Sequence, residues 1–385
     1  DLYITNYKRR SVLDLYSPEE TSFPNTVEKT ESGFKVKDEF EPHFELVWQG
    51  DRVRRLEKAE PDNLYINDGS GRFRHVPFDS GAFFDEDGVP IEDALPEWGL
   101  AARFGDLDGD GDSDLYVAND LQSPDRLWLN QGDGSFRELS SRALRTTSAS
   151  SMATDFSDID RDGDIDIFTI DMLSRSSRLR KTQDPVSRVQ RVLPGEIRGV
   201  QQVTRNTLLL NRGDDSYAEI ANYSGVEASD WSWSALFVDV DLDAYEDIII
   251  ANGHILDLMD ADTQMQLRTT FLDDWRQALL LYEALPLPNV AFRNGGDLKF
   301  EEMGDAWGLA GEPDISHGAA LGDLDGDGDL DVVVNRLDKP ALLLRNDSDA
   351  PRLAVRLSGL PPNTAGIGAR ITVDVPGFPS QSKEI

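Results

Sequence analysis

Aspartates recur on alternate residues in four short segments, which we call the Asp106, Asp158, Asp239 and Asp323 loops. Each segment runs directly into apolar residues typical of a strand. Closely spaced carboxylates repel one another unless a cation is bound. Ca²⁺ takes six to eight oxygen ligands, mainly carboxylates and backbone carbonyls. The pattern therefore predicts about four Ca²⁺ sites, with ligands at Asp106, Asp108, Asp110, Asp112 and Asp114; Asp158, Asp160, Asp162, Asp164 and Asp166; Asp239, Asp241, Asp243, Tyr245 and Asp247; and Asp323, Asp325, Asp327, Asp329 and Asp331.

Positions within each loop are counted from its first aspartate. Positions 1, 3, 5 and 9 offer carboxylates, whereas position 7 offers its backbone carbonyl. An EF-hand opens in a similar way but closes with glutamate at position 12 between two helices. Here position 12 falls inside the strand-like run, as at Val117 and Val334, which excludes an EF-hand. A metal-free acidic turn would account for one such loop but not for four at matched offsets.

The sixth position of each loop must turn sharply, which favours glycine because glycine adopts positive φ without a Cβ clash. Gly111, Gly163 and Gly328 occupy this position in three loops, and Ala244 occupies it in the Asp239 loop. We therefore expect the site at 239–247 to be the weakest of the four.

A second repeated unit lies downstream of the loops: an apolar strand, an asparagine, a glycine-containing turn and an aromatic residue. Asparagine and glycine between apolar strands are typical of hairpin turns. We call these asparagines the marker asparagines: Asn67, Asn130, Asn211, Asn294 and Asn346. Four short strands repeated with a loop at a nearly constant offset predict an all-β fold, a β-propeller of four-stranded blades. A β-sandwich is the alternative, but it does not repeat a loop motif at fixed offsets.

The chain divides into a propeller over residues 1–346 and the start of a second β domain over residues 347–385. Three stretches lengthen the repeat, near 8–60, 173–205 and 253–288. Within the last, the pattern at 260–285 predicts a helix capped by Asp260 or Asp262. In the tail, alternating apolar residues predict strands at 353–357 and 369–373.

The composition excludes several classes of function. The formal net charge of −34 argues against nucleic acid and against an anionic membrane surface, since both attract cationic proteins. There are no cysteines, and no apolar run reaches the length of a membrane span. The four histidines, His43, His75, His254 and His317, suggest no Ser/His/Asp arrangement, so we nominate no catalytic residue. Trp233, His317 and Met152 hold equivalent positions six residues before their loops. We expect side chains there to pack within the fold, and a ligand-binding pocket at the central channel or one rim is the alternative.

The loop followed by a strand, as in residues 106–119 and 323–335, resembles the FG-GAP/VCBS repeats of integrin-α-like propellers. Residues 231–233 and 252–254 resemble bacterial members of the cartilage-acidic-protein-like group. The tail around Asn363 and 366–370 is similar to the opening of an ASPIC/UnbV domain. The resemblance implies an exported protein with about seven blades. Asp1 aligns with position 9 of a fifth loop, so we expect the chain to be a fragment.

The expected function is a calcium-stabilised extracellular module that binds a protein or glycan, with structural calcium and no membrane insertion. The protein would be secreted, periplasmic or displayed at the cell surface. Two alternatives stay open: a polysaccharide-active enzyme, a lyase or hydrolase, on a calcium-bearing propeller, and a structural surface protein without a discrete ligand.

Overall fold

The computed structural model describes residues 1–8, 10–31, 33–49, 52–93, 95–120, 123–184, 199–270 and 276–385. It confirms the predicted all-β propeller architecture: within the described residues, five mainly antiparallel sheets follow one another along the chain as blades. The first strands of successive blades contact each other from the Asp106 blade to the Asp323 blade. We name each blade after the loop that it carries, and the first the N-terminal blade.

The blades share one strand order, in which each strand pairs with the next along the chain. The N-terminal blade contains Leu2–Ile4, Asn63–Asn67 and Phe73–Val76. The Asp106 blade contains Gly99–Gly105, Asp114–Asn119, Arg126–Asn130 and Phe136–Glu138, with Phe83–Phe84 added in parallel at its edge. The Asp158 blade contains Ala153–Ser157, Asp166–Ile170, Thr207–Asn211 and Tyr217–Glu219. The Asp239 blade contains Ser232–Val238, Asp247–Asn252, Val290–Asn294 and Phe300–Glu302, and the Asp323 blade Ser316–Gly322, Asp331–Arg336 and Leu342–Leu344.

The hydrophobic core lies between the blades. The strand that follows each of the first three loops is buried along its whole length, as its continuous apolar run predicts. Tyr116 and Leu127 of the Asp106 blade pack with Ile167 and Leu209 of the Asp158 blade. Equivalent apolar clusters join the Asp158 blade to the Asp239 blade and the Asp239 blade to the Asp323 blade. Because these apolar clusters pack neighbouring blades together, they hold each loop in a fixed position relative to the next blade.

The three insertions contain most of the remaining helices and hairpins of the described residues. Residues 8–60 include helices Val12–Leu15 and Phe23–Thr26, the 3₁₀ turn Asp38–Phe40, and hairpins Val27–Thr30 with Gly33–Val36 and Phe44–Gln49 with Arg52–Glu57. In the second insertion, helix Leu179–Thr182 precedes strand Gln201–Val203, which pairs in parallel with Thr146–Ser148; residues 185–198 lie outside the described residues. The third contains helices Ala261–Thr269 and Arg276–Leu279; residues 271–275 lie outside the described part. Short turns of helix also occur at Phe78–Ser80 and Ala221–Ser224.

The helix prediction at 260–285 is confirmed in its first half, where Asp260 accepts the N–H of Thr263 at 2.7 Å and caps the helix. In the tail, the predicted strand near 369–373 forms as Arg370–Val373 and pairs with Gln381–Glu384. The strand predicted at 353–357 is wrong: in the described tail, residues 351–360 form none. An alternating pattern makes a strand only where a neighbour satisfies its backbone N–H and C=O groups.

The tail contacts all four loops. The Ser348 hydroxyl donates to the carbonyl of Asp241 in the Asp239 loop at 3.5 Å. Arg352 pairs with Asp329 of the Asp323 loop at 2.7 Å, and Arg370 donates to the carbonyl of Gly163 in the Asp158 loop. The backbone N–H of Asp106 donates to Glu384 at 2.9 Å. The described helices include none that is long and apolar enough to cross a membrane.

Candidate metal centres at the blade loops

Three carboxylates converge in every one of the four loops. In each case they are the residues at positions 1, 3 and 9, and one ligand oxygen from each lies within 4.8 Å of the others. The groups are Asp106, Asp108 and Asp114; Asp158, Asp160 and Asp166; Asp239, Asp241 and Asp247; and Asp323, Asp325 and Asp331. The structure thus brings together three of the predicted ligand positions in each loop.

The fifth and seventh positions are arranged differently. The carboxylates of Asp110, Asp162, Asp243 and Asp327, at position 5, lie outside these three-residue groups. Each accepts the backbone N–H of the residue at position 7, at 2.9 Å from Asp112, 2.9 Å from Asp164, 3.1 Å from Tyr245 and 3.2 Å from Asp329. Position 5 therefore shapes the turn, as aspartate commonly does two residues before an N–H. A metal-binding role for positions 5 and 7 stays a prediction.

Positive φ angles bend each loop. At position 6, φ is 95° at Gly111, 99° at Gly163 and 96° at Gly328, which confirms the need for a sharp turn. The Asp239 loop places Ala244 there at φ 82°, and Leu242 at position 4 at φ 57°. Left-handed conformations cost non-glycine residues about 1–2 kcal/mol each. The Asp239 loop is therefore the only one of these four described loops with non-glycine residues at both strained positions.

The aspartate at position 9 fastens the loop to its own blade. One carboxylate oxygen accepts the N–H of position 2, as Asp166 does from Ile159 at 2.9 Å. The other accepts the backbone N–H of the marker asparagine, as Asp166 does from Asn211 at 2.8 Å. The same pair of bonds occurs at Asp114, Asp247 and Asp331. Position 9 is thus a structural acceptor as well as a candidate ligand.

Three of the marker asparagines connect a loop to the following blade. The side-chain Nδ2 of Asn211 donates to the carbonyl of Leu107, at position 2 of the preceding loop, at 3.0 Å. Asn294 donates in the same way to Ile159 at 2.9 Å, and Asn346 to Val240 at 2.8 Å. Sequence reasoning missed this role, because the bonded residues lie 104, 135 and 106 positions apart in the chain. Loop geometry and blade packing are therefore coupled.

Burial makes these carboxylates costly as bare anions. Desolvation raises the pKa of Asp114 to about 7, of Asp247 to about 8, and of Asp158 and Asp239 to about 6. Neighbouring aspartates add to the rise, while backbone N–H donors oppose it. One buried oxygen each of Asp106, Asp158 and Asp241 has no hydrogen-bond partner within the described structure. Unpartnered buried acceptors and an all-oxygen donor set are what a hard divalent cation would satisfy, so the residues fit Ca²⁺.

An aromatic stack lies at the opposite end of the strands from the loops. The ring centroids of Trp231 and His254 are 4.1 Å apart, those of Trp233 and His254 5.6 Å, and those of Trp233 and His317 4.8 Å. Two of the three residues at the equivalent position before the loops, Trp233 and His317, are thus brought together. The third, Met152, packs against the core between two blades.

Comparison with known proteins supports the assignment of a repeat to the Asp106 and Asp158 loops. A model of the FG-GAP-like repeat matches residues 106–169, which include the Asp106 and Asp158 loops. No curated protein matches the chain significantly. Among solved structures, 51 chains match. One is an Agrocybe aegerita lectin, described as recognising non-reducing terminal N-acetylglucosamine. It is 13% identical, over 80% of this chain and 68% of that chain, with a TM-score of 0.33. The chain is thus an all-β propeller that contains an FG-GAP-like repeat.

Proposed function

We propose that this protein is a calcium-stabilised extracellular binding module in which the calcium is structural. The observation that carries the proposal is the convergence of three carboxylates in each of four loops. In the Asp106, Asp158 and Asp239 loops, one of the converging carboxylates has a buried oxygen without a hydrogen-bond partner in the described structure. Calcium would be held by positions 1, 3 and 9 and would neutralise their repulsion. Because it binds the folded chain, calcium would raise stability through linkage.

The proposed location follows from the proposed metal. Calcium sites of extracellular modules work with Kd values of about 10⁻⁴–10⁻³ M, because ambient calcium is high there. We assign about four sites, of which that at 239–247 is the weakest. The protein would accordingly be secreted, periplasmic or at the cell surface.

We also assign residues 1–346 to the propeller and residues 347–385 to the start of an ASPIC/UnbV-like domain. The assignment to the cartilage-acidic-protein-like group and a complete propeller of about seven blades belong to the same proposal. The hairpin of Arg370–Val373 with Gln381–Glu384, which pairs with no propeller strand among the described residues, supports a separate tail unit.

The ligand would be a protein or a glycan bound at the rim that carries the aromatic stack. Tryptophan offers large contact area together with an indole N–H, and is enriched at binding surfaces. Trp233 is held in place by a 2.8 Å hydrogen bond from its Nε1 to the carbonyl of Gly253. A fixed, partly exposed ring of this kind suits ligand contact better than a mobile one.

A glycan array probed in calcium, together with a turnover assay on acidic polysaccharides, tests this function. We expect binding without turnover, and at least a tenfold loss of affinity in Trp233→Ala. Trp48→Ala, which removes an exposed tryptophan of the 8–60 insertion, is the matched control and should bind normally. Catalytic turnover would instead support the polysaccharide-active enzyme and refute the binding module. Equal affinities for the two variants would remove the aromatic stack from the proposal.

A further inference from the structure

We propose that Arg293 acts as a built-in cation for the Asp239 loop and makes this loop need calcium less than the Asp106 and Asp158 loops do. The inference rests on the proposed function, since it concerns which positive charge neutralises the carboxylates of each loop, a bound calcium ion or an arginine side chain. In this account Arg293 sets the calcium affinity of the Asp239 loop.

Arg293 lies on strand Val290–Asn294, directly before the marker asparagine of its blade. Its Nε donates to Oδ2 of Asp241, and its Nη2 donates to Oδ2 of Asp243 at 2.5 Å. These aspartates hold positions 3 and 5 of the loop, both predicted as calcium ligands. The Arg293 side chain is 35% exposed, so water screens the contact only in part. Two carboxylates of the loop thus already have a positively charged partner.

In the other three blades that carry a loop, the position equivalent to Arg293 holds either a different residue or an arginine with different contacts. Leu129 occupies it in the Asp106 blade and Leu210 in the Asp158 blade. Arg345 occupies it in the Asp323 blade, but its side chain is 63% exposed and divided between Asp347 at 2.7 Å and Asp325 at 3.9 Å. The cation that pairs with two carboxylates of the Asp323 loop is Arg352 of the tail, at 2.7 Å from Asp329 and 3.6 Å from Asp327. At this one position the chain therefore offers a series for comparison. It runs from leucine, through an arginine 3.9 Å from a loop carboxylate, to Arg293, which is hydrogen-bonded to two loop carboxylates.

A second arginine supports the backbone of the Asp239 loop from the preceding blade. Arg161 donates from Nε to the carbonyl of Ala244 and pairs with Glu246, and its side chain is only 3% exposed. Its guanidinium also lies 5.7 Å from the centre of the Tyr245 ring. These contacts hold positions 6 to 8 of the loop without a metal. They offset the strain at Leu242 and Ala244, where glycine is missing.

A guanidinium stays charged at every physiological pH and binds carboxylates through several N–H groups at once. It therefore repels an incoming divalent cation and occupies oxygens that the cation would otherwise use. Calcium at the Asp239 loop must compete with Arg293, whereas the Asp106 and Asp158 loops have an uncharged leucine at the equivalent position. We expect the affinity of the Asp239 loop for calcium to be at least tenfold lower than that of the other two loops.

Calorimetric titration of the full chain with calcium chloride tests the inference. We expect Arg293→Leu, which installs the residue of the Asp106 and Asp158 blades, to add one site to the tighter class. In EDTA the same variant should unfold at a lower temperature than the wild type, because Asp241 and Asp243 lose their cation. Calcium should then raise its unfolding temperature more than it raises that of the wild type.

The reverse exchange, Leu210→Arg, should remove one tight site from the Asp158 blade. If that variant does not fold, Arg293→Gln, which keeps a polar side chain but removes the charge, provides the second comparison and should resemble Arg293→Leu. Equal site numbers and affinities in the wild type, Arg293→Leu and Arg293→Gln would overturn the inference while leaving the calcium proposal intact. A wild type that binds no calcium would contradict the proposed function itself, and this inference with it.

Discussion

Asp166→Ala is expected to lower the free energy of unfolding by roughly 3 kcal/mol in calcium-containing buffer. Asp166 is 1% exposed, and its two oxygens accept the N–H groups of Ile159 and Asn211. Removing the carboxylate leaves both donors without their acceptor in a buried place, at about 1–3 kcal/mol for each, and also removes a candidate calcium ligand. Urea denaturation monitored by tryptophan fluorescence measures the effect.

Asp164→Ala provides the matched control, because it removes a carboxylate from the same loop at position 7, where the backbone carbonyl is the predicted ligand. Its cost should stay within about 0.5 kcal/mol, as for most surface substitutions. If both substitutions were equally mild, position 9 would not fasten the loop to the blade.

Asn294→Ala is expected to destabilise the protein by roughly 2–3 kcal/mol. The Asn294 side chain is fully buried, donates to the Ile159 carbonyl of the preceding blade, and accepts the N–H of Gly296 at 2.9 Å. Alanine leaves both of these groups without a partner between two blades. The same denaturation experiment measures the loss.

Asn67→Ala is the control for this change, because Asn67 is an exposed marker asparagine that accepts the N–H of Gly69 within its own turn. It should cost about 1 kcal/mol or less. Because Asp166 and Asn294 hold the N–H and the carbonyl of the same residue, Ile159, their effects should not add in the double variant. Strict additivity would show that loop and neighbouring blade are independent.

The sequence was sufficient to predict the repeated blades and the loops in which carboxylates converge, because both depend on local repeats. It did not separate positions 1, 3 and 9, which converge, from position 5, which lies outside the groups. Asp158, Asp160 and Asp166 lie close in sequence, and the apolar run after them predicts the buried strand that fixes the last of the three. Position 6 was predictable for the same reason, since its conformation depends on a few adjacent residues.

Contacts between distant residues were not predictable. Arg293 is 52 residues from Asp241, and Asn294 is 135 residues from Ile159. No local pattern reveals such a pair before the blades are packed. The strand predicted at 353–357 was wrong for a related reason, because its formation depends on a neighbouring strand rather than on its own alternation.

The measurement that tests the central claim most directly is thermal unfolding of the full chain in calcium and in EDTA. Calcium that binds only the folded protein stabilises it by mass action, by about 1.4 kcal/mol for one site at a tenfold excess over a Kd of about 10⁻⁴ M. We predict that the midpoint in millimolar calcium lies several degrees above that in EDTA, and that magnesium at the same concentration gives a smaller rise. An unchanged midpoint in EDTA would contradict structural calcium.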